Sequence, residues 1–107
     1  MTTGIPQVDW SGIDSIDRKY FVYMVKTTRD WLYTGISVDP KARIKEHNTG
    51  KRGAKALRGQ RPVRLIWFLD LALTKSNALK FESKIKRLSR KQKEAFLKGD
   101  LPLEIPE

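Results

Sequence analysis

The sequence has no cysteine. That excludes a disulfide framework and cysteine-based zinc sites, and it fits a reducing, cytoplasmic setting. No apolar run approaches the roughly 18 residues needed to span a bilayer, so no membrane partner is expected. The opening Met1-Thr2-Thr3-Gly4 leads into neither a basic region nor an apolar stretch, so no secretory leader is expected. Histidine occurs once, at His47. Acidic residues are nearly missing from the centre: between Lys41 and Arg64 nine Lys/Arg stand against one acid, Glu46. Between Lys75 and Lys98 nine more stand against two, Glu82 and Glu94. The net charge is +10, and a basic centre of this density suits a polyanion, most simply nucleic acid.

What is present fits one domain. With 107 residues and 39% hydrophobic content, the chain is long enough for a single modest core. Residues 1–19 read as an N-terminal extension, 20–99 as the domain and 100–107 as a loose tail. Tyr20 to Val25 is apolar on both faces and predicts a central strand. Trp31 to Ile36 returns as a second strand after a polar turn. Tyr23 and Tyr33 share a face if the connection holds an odd number of residues or a bulge. Asp39-Pro40 predicts a helix start, with Asp as N-cap and Pro at the first helical position, and the helix runs to about Asn48. Pro62 opens a third strand, Val63 to Leu71, with Leu65 and Trp67 on one face and Ile66 and Phe68 on the other. Thr74 or Ser76 caps a second helix reaching about Leu88, with Ala78, Phe81, Ile85 and Leu88 inward. Ser89 to Gln92 has the form of a capping box and predicts a third helix ending at Gly99. The fold class is therefore α/β of the α+β type: a small three-stranded, mainly antiparallel sheet flanked by helices.

Two features of this layout point to chemistry. Arg43 and His47 are one helical turn apart and share a face. Glu82 falls inside an apolar stripe, where a lone carboxylate costs several kcal/mol and needs a partner. That partner is a metal, hydrogen-bond donors, or a cation, either Lys86 one turn on or an arginine across the fold.

Tyr23 with its strand, Tyr33-Thr34-Gly35, Arg43, His47 and Glu82 together resemble the GIY-YIG nuclease superfamily. The resemblance is to its short, stand-alone bacterial members, and it covers about Tyr20 to Leu97. Glu46-His47-Asn48, Arg61-Pro62-Val63 and Ile85-Lys86-Arg87-Leu88-Ser89-Arg90 are further landmarks. Phe21-Val22 stands where the name motif has Gly-Ile, Thr34 replaces the central Ile of the second triplet, and Ser37 occupies a position that carries lysine in some members.

The resemblance implies a metal-dependent endonuclease hydrolysing phosphodiester bonds in DNA, with DNA repair or recombination as a setting and RNA still open. It assigns Glu82 to a Mg²⁺ or Mn²⁺ ion completed by phosphate and water. Arg43 offers a planar fork to phosphate oxygens. Tyr23 is the candidate general base or water-orienting group, and Tyr33 would position phosphate or water. His47 competes with Tyr23 for the base role, and both assignments stay open here. Lys51, Arg52, Lys55, Arg58, Arg61 and Arg64 would track the phosphate backbone. No small-molecule cofactor is expected, and the chain reads as a monomer or weak homodimer. The alternatives are a non-cleaving nucleic-acid-binding module on the same scaffold and a basic protein–protein adaptor.

Overall fold

Strand β1 (Phe21–Lys26) is the centre of the molecule, with Val22, Tyr23, Met24 and Val25 all buried. Strand β2 (Leu32–Ser37) returns antiparallel to it, with Tyr23 opposite Gly35 and Val25 opposite Tyr33. The strands are joined by the five residues from Thr27 to Trp31, an odd number, so Tyr23 and Tyr33 fall on one face. The turn is held by Thr27, whose Oγ1 accepts from the backbone N–H groups of Arg29 (3.2 Å) and Trp31 (3.1 Å). Asp30 takes the left-handed conformation there (φ 66°), which a short polar side chain tolerates better than most. The computed structural model describes residues 18–49, 57 and 59–106. The N-terminal extension up to residue 17, and Lys51, Arg52, Lys55 and Arg58, lie outside the described residues.

Strand β3 (Arg64–Phe68) pairs with the other edge of β1, giving the order β2-β1-β3. It is shorter than the expected Val63–Leu71. Its start is displaced because the Val63 amide bonds to the Asn48 side chain. The Leu69 N–H still donates to the Val22 carbonyl at 2.8 Å; the chain then turns, and Leu73 rejoins the sheet by bridging to Tyr20. The expected alternation of faces also fails. Met24 pairs with Trp67, but the next residue, Val25, pairs with Leu65. Ile66 is thus an extra residue, a bulge, and it puts Leu65 and Trp67 on opposite faces of the sheet.

Helix α1 (Pro40–Thr49) begins where Asp39 Oδ1 accepts from the Ala42 N–H at 3.2 Å. Helix α2 (Lys75–Lys86) is capped by Thr74, whose hydroxyl accepts from the Asn77 N–H. Its last residue is Lys86, with Arg87 as C-cap, close to the expected end at about Leu88. Helix α3 (Arg90–Leu97) starts with the expected capping box of Ser89 and Gln92 and ends before Gly99 (φ 84°). Among the described residues no helix is long and apolar enough to cross a membrane.

The sheet buries both faces. On one, Val22 and Met24 pack with Leu73 and with Ala78, Phe81 and Ile85 of α2, and Phe96 and Leu97 of α3 close the layer. Leu103 and Ile105 pack there too, and Lys84 donates to the Glu104 carbonyl at 2.8 Å. Residues 100–106 are therefore not the loose end expected from their prolines and glutamates. On the other face Tyr23 and Val25 pack with Leu57 and Val63, flanked by Tyr33, Ile44 and Leu65. This second face, covered by α1, carries the candidate site.

Candidate active site

Tyr23 and His47 are its core. The phenolic oxygen lies 2.9 Å from His47 Nε2, and both residues are buried, at 1% and 0% exposure. Gly35 explains the pose of the tyrosine. A Cβ at that position would meet Tyr23 Oη at 2.6 Å and Cζ at 2.8 Å, so the ring can lean over β2 only because residue 35 has no side chain. His47 is delivered by the last turn of α1, and Asn48 beside it fixes that turn. The Asn48 side chain donates to the Val63 carbonyl at 3.0 Å and accepts from the Val63 N–H at 2.7 Å. Tyr33 completes an aromatic wall, edge-on to the imidazole with ring centroids 5.7 Å apart.

Arg43 lies one turn before His47 and within hydrogen-bonding reach of the Tyr23 phenol. Its Nη1 also donates to Glu46 Oε1 at 3.0 Å, so the guanidinium is held from two sides. Burial, aided by the nearby Tyr33 and Glu82, pushes the Tyr23 phenol up to about 12 against the pull of Arg43. Arg43 does favour the phenolate, but desolvation outweighs the guanidinium. Burial, and then the positive charge of Arg43, holds the His47 imidazole below its ordinary 6.5. Near neutral pH a protonated phenol faces a neutral imidazole. With the ring proton on Nδ1, the O–H donates to Nε2.

Glu82 reaches the same region from α2. Its carboxylate is close enough for its charge to bear on the Tyr23 phenol, and its side chain is 16% exposed. Its partner is Lys86, whose Nζ lies 3.3 Å from Oε2 and 5.9 Å from the centroid of the Tyr33 ring. Among the described residues no three His, Asp or Glu side chains converge as a metal cage. A single carboxylate still suits Mg²⁺ or Mn²⁺, which commonly binds through one or two carboxylates and keeps waters and substrate phosphate as its other ligands. The donor set fits an ion that arrives with the phosphate and does not fit a caged resident ion.

Of the residues singled out in the sequence, Tyr23, Tyr33, Arg43 and His47 meet on one face of the sheet, and Glu82 acts on Tyr23 from α2, which packs on the other face. Arg61 comes near enough for its charge to act on His47. Arg64 is exposed at the edge of the sheet, where β3 begins opposite Lys26. Three contributors had no role in the sequence reading of the site: Glu46 as the anchor of Arg43, Asn48 as the clamp on β3, and Lys86 as a neighbour of Tyr33. Lys86 was visible only as a possible salt-bridge partner one turn from Glu82. Asn48 stood in the sequence only as part of a landmark triplet, and its clamping role gave no signal, because its partner is backbone fifteen residues away.

A tyrosine ring seated over a glycine, a buried histidine and an arginine–glutamate pair around a three-stranded sheet define a class. The GIY-YIG catalytic domain model matches residues 19–95, and the chain belongs to this family, which forms a nuclease superfamily. It is similar to a UPF0213 protein of Vibrio cholerae, 50% identical over 80 residues, or 75% of this chain and 78% of that one. A UPF0213 protein of Cupriavidus necator is 46% identical over 92 residues, covering 86% of this chain and 97% of its own. The solution NMR structure of a protein from E. faecalis is 33% identical and superposes with a TM-score of 0.52, over 75% of this chain and 83% of that one.

Proposed function

We propose that the protein is a nuclease that hydrolyses phosphodiester bonds in DNA with Mg²⁺ or Mn²⁺ held at Glu82. The observation that carries this reading is the 2.9 Å contact between the Tyr23 hydroxyl and His47, with Arg43 against the same phenol. Arg43 and Tyr33 are only half-buried and form the surface a phosphate meets. Arg43 binds and neutralises its oxygens. Tyr23 orients the attacking water. A free phenolate is disfavoured, so Tyr23 accepts the water proton only as it passes its own to His47 Nε2. The phenol is then the contact and the imidazole the final base. A bound divalent ion supplies charge relief on the phosphate and on the departing oxygen. Arg61 and Arg64 extend the positive surface along the strand, with Lys51, Arg52, Lys55 and Arg58 as its sequence continuation.

The test is cleavage of labelled DNA with Mg²⁺ by the wild type and by Tyr23→Phe, Arg43→Ala and Glu82→Ala. The expected loss for Arg43→Ala is about 10²–10³ in rate, the usual cost of removing an electrostatic stabiliser of the transition state. Equal cutting by all four proteins rejects the assigned cluster. A second reading has its own observation. Tyr23 is 1% exposed and Glu82 already holds Lys86, which suits a scaffold that binds nucleic acid without cutting it. That reading expects affinity that falls steeply with salt and no product under any divalent metal.

A further inference from the structure

A groove of about 240 Å³ opens beside the site, lined by Phe21, Val38, Pro40, Lys41, Leu65 and Phe68. It exists because of two features described above. Tyr23 leans over Gly35 toward β2 and so vacates the β3 side of its own face. The bulge at Ile66 then turns both Leu65 and Phe68 toward that vacated side, opposite Val25 and Tyr23. Phe21, two residues before Tyr23 on β1, points the same way. The first turn of α1 forms the far wall, and Arg43 follows Pro40 by three residues, so it adjoins the groove along the helix.

The lining is almost wholly apolar, yet two of its members are left at the surface: Val38 is 53% exposed and Phe68 43%. The one carboxylate in the wall, Asp39, is engaged in capping α1. Lys41 sits at the rim and Arg43 next to it, in a chain of net charge +10. An aromatic, apolar slot beside an arginine that can hold phosphate matches one ligand chemistry: a flat heteroaromatic ring attached to an anionic backbone. We propose that this groove is a nucleobase pocket. It takes one unstacked base of the DNA strand whose phosphate rests on Arg43, with Phe68 as the stacking face. Because the walls carry almost no free polar groups, the pocket accepts any base and selects for the base being unpaired rather than for its identity. This rests on the reading of Arg43 as a phosphate contact, and it extends that reading to the form of the substrate.

The experiment is equilibrium binding in a metal chelator, so that no cleavage intervenes. The probes are single-stranded oligothymidylate of about twelve nucleotides and an abasic backbone of equal length, a span matching common single-strand site sizes. The wild type is expected to bind the base-bearing strand about tenfold more tightly than the abasic one, the scale of one base–aromatic stack. Phe68→Leu keeps an apolar wall but removes the ring face, and it should erase most of that preference; Phe68→Trp should keep it. Melting temperatures of both variants report whether the fold is intact. Equal affinity for the two strands overturns the proposal, and so does full preference in a folded Phe68→Leu. A dimer in sedimentation that Val38→Glu dissociates, with base preference indifferent to Phe68, also overturns it and makes a second copy the occupant. Cleavage with no base preference removes the pocket alone. Base preference without cleavage under any metal removes the nuclease reading alone.

Discussion

At the scale of single residues, the site is governed by burial. His47 is held neutral by desolvation and by Arg43, with Glu46 opposing and Tyr23 and Tyr33 in contact. Its folded pKa lies below the ordinary 6.5, so below that pH the unfolded chain binds a proton that the folded chain resists. Stability therefore falls as pH drops below about 6.5. Thermal melts between about pH 7.5 and about pH 5 should show this decline in the wild type, and His47→Gln should flatten it. Asp30, whose carboxyl is lowered by its bond to Lys26 and by Arg90, acts below its ordinary 3.8 and stays outside that window. Tyr23 has the opposite sign: its raised value of about 12 contributes stability below pH 10 that is lost as pH climbs through about 12. Thr34 supplies a second test. Its hydroxyl is buried at 2% exposure and has no hydrogen-bond partner among the described residues. Thr34→Val removes an unsatisfied group of nearly the same shape, and chemical denaturation should show a gain of about 1 kcal/mol.

At the scale of elements, what was legible followed from local rules. The hairpin, the Asp39-Pro40 start, the Thr74 cap and the Ser89 capping box are each decided by residues within a few positions of one another, and each formed. β3 was legible as a strand but not in its facing, because a bulge is set by the partner strand and leaves no local mark. The segment after Gly99 misled for a related reason. Its prolines and glutamates describe its exposed side, whereas Leu103 and Ile105 meet a core assembled from distant residues. Replacing both with alanine should lower stability by about 1–3 kcal/mol, given their partial burial, as read by urea unfolding. A loose tail would give no change. In the site the same division holds. The Arg43–His47 spacing is a helical period and can be read from sequence, while the overlap of the Tyr23 ring with Gly35 depends on cross-strand register and cannot.

At the scale of the whole molecule, the two bonds between Asn48 and Val63 have a consequence for how the protein can vary. They pin together two points fifteen residues apart, so the chain between them leaves and returns at one place. That excursion contains Lys51, Arg52, Lys55, Arg58 and Arg61, the basic residues proposed above to extend the positive surface. Removing the clamp with Asn48→Ala strands the buried ends of α1 and β3. It should cost about 1–3 kcal/mol in urea unfolding, the price of polar groups left unmade. Lengthening the excursion by a few Gly/Ser residues after Arg52 should cost only a few tenths in the same measurement, since loop-closure entropy grows slowly with length, by about 0.6 kcal/mol per doubling. Asn48 thus works as a socket. Differently charged segments can be plugged in between it and Leu57, provided Leu57 keeps its seat against Tyr23, so the charge of this stretch can vary while Tyr23, His47 and Arg43 keep their places.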